Sequence, residues 1–184
     1  MFERLLERLA QALESRSIPY MLIGGQALLL YAEPRLTRDI DVTLGLPVTR
    51  LPAMLELIRA LGLKLRVENP EQFVRQTMVL PCEEVNSSIR VDFIFSSSPY
   101  EAEALSRVNR VRIGSSEVCY AAVEDLIIHK LVAGRPRDIE DVRSILLKNP
   151  SYDRAYVQRW LADFERVTGG PLLTVLSDLE RGGT

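Results

Sequence analysis

Apolar residues in the first fifteen positions recur at helical spacing. Phe2, Leu5, Leu6, Leu9 and Leu13 share one face, which predicts an amphipathic helix over 2–15. Ile18-Pro19 ends it, and the apolar run Tyr20–Ile23 reads as a buried strand. Gly24-Gly25 breaks that strand, and Gln26–Tyr31, rich in Ala and Leu, favours helix. Glu33-Pro34-Arg35-Leu36-Thr37-Arg38 has loop chemistry. Asp39–Leu44 then alternates strictly, with Ile40, Val42 and Leu44 to one side and Asp39, Asp41 and Thr43 to the other. Period two is the pattern of a strand with one buried face.

Further along, Thr49 is expected to cap a helix that runs to Leu61 and stops at Gly62. Leu63–Val67 and Thr77–Leu80 read as strands, and Asn86-Ser87-Ser88 as a turn. Ile89–Phe95 alternates again, with Ile89, Val91, Phe93 and Phe95 opposite Arg90, Asp92 and Ile94. Arg110–Ile113 and Glu117–Tyr120 flank Gly114-Ser115 as a hairpin. From Ala121 the pattern turns helical, over Val123–Ala133, Asp138–Leu147, Tyr152–Val167 and Leu172–Glu180, with Gly- and Pro-containing breaks between. The chain therefore reads as α+β (or α/β). A mixed sheet flanked by helices occupies 1–120, and a helical C-terminal part, 121–184, packs on it.

Composition narrows the partners. The 184 residues are 47% hydrophobic and 26% charged, which suits a globular core. No apolar stretch is long enough to span a bilayer and the N-terminus lacks the pattern of a signal peptide, so a cytoplasmic protein without membrane contact is expected. Cys82 and Cys119 form no CxxC pair and the chain has one histidine, His129, which excludes the common zinc sites and leaves two reduced, buried thiols. His129, beside an apolar face, reads as structural. A net charge of −2 provides no general field for nucleic acid, so RNA would have to bind through local arginines such as Arg35, Arg38, Arg135 and Arg137. The face of Tyr156, Trp160, Leu161 and Phe164 either closes the back of the domain or forms a homodimer.

The candidate chemistry lies in the acidic strands. Nucleotidyl transfer develops charge on phosphate oxygens, which two magnesium ions can clamp. Magnesium takes a few carboxylates together with waters and substrate phosphates. Asp39 and Asp41, two apart on a strand, point the same way, and Asp92 belongs to the polar side of a second alternating strand. Gly24-Gly25, at a strand-to-helix turn, can offer unobstructed backbone amides to a nucleoside triphosphate. Thr37 and Arg38 add a hydroxyl and a positive charge. Asp39, Asp41 and Asp92 are thus the candidate catalytic and metal residues, and Gly24, Gly25, Thr37 and Arg38 the candidate nucleotide contacts.

This combination resembles the nucleotidyltransferase superfamily of polymerase-beta-like fold. Its elements here are Gly24-Gly25, thirteen intervening residues, Asp39-Ile40-Asp41, and a third acid in Arg90-Val91-Asp92-Phe93. The stretch from Gly24-Gly25-Gln26-Ala27 through Tyr31, Arg35, Thr37 and Asp39-Ile40-Asp41 looks like the minimal bacterial branch that includes AbiEii-type toxins. Lys130, followed by Arg135, Arg137-Asp138 and Asp141, is similar to that branch's C-terminal motif. The resemblance covers about residues 18–147. It implies that Lys130 meets the triphosphate or its base side, and that Arg137, Asp138 and Asp141 help build the acceptor side. It also implies transfer of a nucleoside monophosphate to an acceptor hydroxyl with release of pyrophosphate. The acceptor is left open between a small hydroxylated molecule, such as an aminoglycoside, and tRNA, the latter with an antitoxin protein as partner. An acidic pocket would favour a cationic drug and a basic rim RNA. The alternative is a nucleotide-binding regulatory or interaction module without transfer activity.

Overall fold

In the computed structural model, which describes residues 2–34 and 37–182, the two alternating segments are neighbouring strands of one sheet. The chain runs through α1 (Phe2–Glu14), β1 (Tyr20–Ile23), α2 (Gly24–Tyr31) and β2 (Asp39–Leu44). It continues through α3 (Leu51–Leu61), β3 (Leu63–Leu65), α4 (Pro70–Thr77), β4 (Val79–Glu84), β5 (Ile89–Phe95) and α5 (Pro99–Ser106). Next come β6 (Asn109–Ile113), β7 (Ser116–Tyr120) and the helices α6 (Val123–Ala133), α7 (Pro136–Lys148), α8 (Arg154–Thr168) and α9 (Leu172–Arg181). Arg35 and Leu36, part of the expected loop and arginine set, lie outside the described residues.

The seven strands lie in the order β3-β4-β5-β2-β1-β7-β6. β2 with β5 and β1 with β7 are parallel, and the other pairs are antiparallel. This is the expected mixed sheet flanked by helices. Registers Leu22↔Val42, Val42↔Phe93 and Leu80↔Phe93 align the apolar alternates of four strands on one side. There Leu22, Ile40, Val42, Leu44, Leu80, Val91, Phe93 and Phe95 are buried. α1 covers that side: Gln11 Nε2 donates to Ser116 Oγ at 2.9 Å, on the β7 face that continues from Leu22. The apolar stripe Leu5, Leu6, Leu9 and Leu13 of α1 is buried, as are Met54, Leu57 and Ile58 of α3. Both cysteines are free and buried, and burial, with a smaller contribution from the Asp92 charge, pushes the Cys82 thiol up to about 12.

Several boundaries differ from expectation for local reasons. α2 begins at Gly24 itself, so the glycines form its first turn. Thr49 lies in a short 3₁₀ turn, Val48–Arg50, and does not cap α3; the cap position is Arg50, without a side-chain bond, and a proline occupies the first turn. Gly62, at φ 68°, closes α3 as expected. Thr77 ends a helix that the strand reading missed: Asn69 caps α4 by accepting from Gln72 N at 3.1 Å, and Met78, at φ 62°, stops it. α5 is a second helix without an expected counterpart; Ser98 and Glu101 form its capping-box pattern, and Ser98 Oγ accepts from Glu101 N at 3.3 Å. Pro136 opens α7 and does not interrupt it, because a proline in the first turn removes a donor that has no partner there.

The chain divides into two compact units, Met1–Gln26 with Leu36–Tyr120, and Ala27–Arg35 with Ala121–Thr184. In the second, Tyr31 OH donates to Ala121 O at 2.9 Å and Asn149 Nδ2 to Tyr31 O at 2.7 Å, which ties the end of α2 to the C-terminal helices.

Phe93, fully buried in β5, tests the apolar side of the sheet. Phe93→Ala should lower stability by about 3–5 kcal/mol, read as a shift of the urea midpoint with an unchanged slope. A loss near zero would show that this side of the sheet is not the core.

Candidate active site

The first unit gathers two elements of the expected site. Parallel pairing of β2 with β5 sets Asp41 directly beside Asp92 and Asp39 beside Arg90. Side chains at paired positions share a face, so Asp39, Asp41, Arg90 and Asp92 all stand on the side of the sheet opposite Val42 and Phe93. On the other flank of β2, antiparallel pairing sets Ile23 against Asp41, and the chain turns at once into α2. A side chain at Gly24 would put its Cβ 2.1 Å from Asp41 Oδ2, and one at Gly25 would put it 2.6 Å from Thr37 Oγ1. Gly24 also has φ 62°, where an L side chain is strained. The carboxylate of Asp41 therefore occupies the space that the glycine leaves empty. Thr37, against Gly25, also donates to Asp39 O at 3.5 Å. Arg38 is exposed just ahead of β2.

Three carboxylates on one face repel one another. Burial raises the pKa of Asp92, and the charge of Asp39 raises it further, while Arg66 and Arg90 oppose the shift. Asp92 Oδ1 is buried without a hydrogen-bond partner, a costly state for a carboxylate oxygen unless a cation or donor meets it. That orphaned oxygen and the all-carboxylate donor set fit magnesium. Among the described residues no three His, Cys, Asp or Glu side chains are already gathered closely enough to hold a metal ion. The fit is thus to an ion held by one or two carboxylates and completed by substrate phosphates.

The second unit holds Lys130, Asp138 and Asp141. Lys130 Nζ donates to Asp138 Oδ1 at 2.8 Å and to Asp141 Oδ2 at 2.6 Å, and all three side chains are buried. The i+8 and i+11 spacings are closed by the turn from α6 into α7. Asp138 sits in the first turn of α7, where a carboxylate is favoured by the helix dipole, and the capping position is Arg135. Where the motif suggested a triphosphate, the ammonium has two carboxylate partners. Arg137 is exposed. Nearby, Tyr156 OH donates to Asp125 Oδ1 at 2.8 Å and Glu124 Oε1 accepts from Asp153 N at 2.9 Å, which fixes the start of α8 against α6. Burial lowers the His129 imidazole to about 4, so it is neutral at pH 7. Residues that the strand pattern alone did not mark are Lys64 and Arg66; cross-strand register puts them on the carboxylate face, where alternation already sets Arg90 with Asp92.

The architecture recurs in solved structures. ANT(2'')-Ia in complex with adenylyl-2''-tobramycin is similar, with TM-score 0.60 and 18% identity over 90% of this chain and 98% of that one. A nucleotidyltransferase-like protein from Paracoccidioides brasiliensis gives 0.56 and 16%, over 95% and 91%. The lincosamide antibiotic adenylyltransferase LnuA, lincomycin-bound, gives 0.54 and 12%, over 77% and 94%. At these identities the likeness shows the fold, which is that of nucleotidyltransferases. No curated protein matches the chain in sequence. The chain belongs to the family described as "Nucleotidyltransferase of unknown function (DUF6036)", whose model matches residues 2–167. It is therefore a member of a transferase family of the superfamily its motifs suggested, and the likeness to the AbiEii-type branch rests on those motifs alone.

Two outcomes follow. Gly24→Ala should cost about 1–3 kcal/mol in wild type and distinctly less in an Asp41→Ala background, because the remaining Cβ of residue 41 would stand 3.5 Å away. An equal cost in both backgrounds would remove the Gly24–Asp41 contact from the account. Lys130→Met should cost about 3–5 kcal/mol, since it removes the buried cation that bonds both Asp138 and Asp141. Chemical denaturation reads it as a lower urea midpoint; a loss below about 1 kcal/mol would contradict the role given to the lysine.

Proposed function

We propose that the chain transfers a nucleoside monophosphate from a nucleoside triphosphate to an acceptor hydroxyl and releases pyrophosphate. The observation that carries this reading is the in-register pair Asp41 and Asp92, with the Gly24 turn packed against Asp41 on one flank. Asp39, Asp41 and Asp92 would hold two magnesium ions, which when bound neutralise the charge developing on the reacting and leaving oxygens. The first backbone N–H groups of α2 have no acceptor within the helix. Gly24 and Gly25 leave them unobstructed, so they would hold phosphate oxygens together with the Thr37 hydroxyl and the Arg38 charge. The acceptor oxygen forms a bond to the α-phosphorus, and the bond from that phosphorus to the bridging oxygen breaks, with its electron pair leaving on pyrophosphate. Asp92 assists by taking the hydroxyl proton. Holding the reactants in line is itself a large part of the rate enhancement. For Lys130, Asp138 and Asp141 the geometry supports a positioning role, fixing α6 to α7.

The acceptor is proposed to be a small hydroxylated molecule. The similar folds ANT(2'')-Ia and LnuA were solved with an adenylylated tobramycin and with lincomycin, both small molecules. Among the described residues no helix is long and apolar enough to cross a membrane; the proposed site of action is the cytoplasm.

The test uses nucleoside triphosphates labelled at the α-phosphate, with magnesium and a mixture of hydroxylated acceptors. Asp39→Ala, Asp41→Ala and Asp92→Ala should each lower transfer by about a thousandfold or more while melting temperature changes little. Near-normal transfer in any of them would remove that residue from the metal site.

A further inference from the structure

The transfer reading leaves the face beyond Asp92 unexplained. β3, β4 and β5 extend the sheet away from the glycine turn, and their register continues the polar side. Lys64 pairs with Glu83, Glu83 with Arg90, and Arg90 with Asp39. These four charged residues therefore stand in one row, alternating in sign. One pleat further, the row holding Asp41 and Asp92 continues to Pro81, and Pro81 O accepts from Arg66 N at 3.0 Å.

An open cleft of about 300 Å³ lies at this end, lined by Lys64, Leu65, Arg66, Val67, Glu68 and Glu83. Arg66 Nε stands 3.7 Å from Glu83 Oε2, a loose ion pair that leaves the rest of the guanidinium fork available. Lys64 and Arg90 are exposed and make no ion pair among the described residues. Both Arg66 and Arg90 lower the pKa of Asp92, so their charges are felt at the carboxylates. The cleft lining holds two cations, Lys64 and Arg66, and two carboxylates, Glu68 and Glu83, and Arg90 stands on the same face of the sheet across Glu83.

We propose that this cleft binds the acceptor, and that the acceptor is a small hydroxylated phosphate monoester whose phosphate is held by Arg66 and Arg90 with Lys64. The inference rests on the transfer reading, which puts the triphosphate on the Gly24 flank of β2 and leaves the β5 flank for the acceptor. β3 and β5 are two strand spacings apart, about 10 Å, so the phosphate and the attacking hydroxyl belong to one small molecule. An arginine fork matches phosphate oxygens in geometry as well as charge. A long polyanion would need a continuous basic track, and Glu68 and Glu83 interrupt this one.

The probe is ribose 5-phosphate, with ribose and glucosamine as neutral and cationic controls. Each is titrated calorimetrically into the full chain holding magnesium and a non-hydrolysable ATP analogue. Ribose 5-phosphate should bind at least about tenfold more tightly than either control, the worth of one charge-assisted contact. Arg66→Ala or Arg90→Ala should weaken it by about the same factor, with nucleotide affinity and melting temperature little changed, and the corresponding Lys variants should recover part of it. Equal binding of ribose, tightest binding of glucosamine, or indifference to both arginines would overturn the proposal while leaving nucleotide transfer standing. Transfer RNA labelled by wild type and both arginine variants alike would also overturn it. Failure of the nucleotide itself to bind in the first titration would instead overturn the transfer reading, and this proposal with it.

Discussion

Parallel pairing of β2 with β5 is the constraint on which the rest of the first unit depends. It sets Asp41 beside Asp92 with Asp39 one pleat away, an arrangement that electrostatics alone opposes. The same pairing aligns Ile40, Val42 and Leu44 with Val91, Phe93 and Phe95 on the reverse face, all buried. Each such side chain contributes about 1.5–3 kcal/mol on burial, several times what a pair of partly solvated carboxylates costs one another. A one-residue slip would turn both sets over together. The core thus holds the carboxylates in place, and the unpartnered oxygen of Asp92 is the residue of that compromise, ready for a cation.

The glycine turn follows from the same pairing. β1 ends at Ile23, opposite Asp41, so the next residue has to pass the carboxylate. Only a residue without a Cβ, in a left-handed conformation, does so. Gly24 is therefore explained by Asp41 even before any ligand is considered, and the opening of α2 beside the aspartates is its consequence. In the second unit a different interaction does comparable work. One buried lysine between two aspartates links α6 to α7, and removing one member of such a cluster costs more than the cluster itself contributes.

Much of this was legible in the sequence because it is local. Alternation in Asp39–Leu44 and Ile89–Phe95 identified both acidic strands and their buried sides, and the helix Val123–Ala133 has the expected bounds. The hairpin around Gly114 was equally plain. What local pattern cannot supply is register. Lys64 and Arg66 are ordinary exposed residues in their own segment, and they join the carboxylate face only through pairing across β3, β4 and β5. Arg90 shares a face with Asp92 by alternation, but its position beside Asp39 needs the β2–β5 register. The partners of Lys130 lie in the next helix and required a turn whose path Pro136 sets. α4 and α5 carry less signal: both are only eight residues long, and their starts are marked chiefly by the caps at Asn69 and Ser98.

The measurement that bears most directly on the central claim is a crystal structure of the full chain with manganese and a non-hydrolysable nucleoside triphosphate, analysed for anomalous scattering. The account predicts manganese between the phosphates and the carboxylates of Asp41 and Asp92, within bonding distance of Asp92 Oδ1, with the phosphates against Gly24 and Gly25. Nucleotide bound with no manganese at those carboxylates, or bound away from the glycine turn, would contradict it.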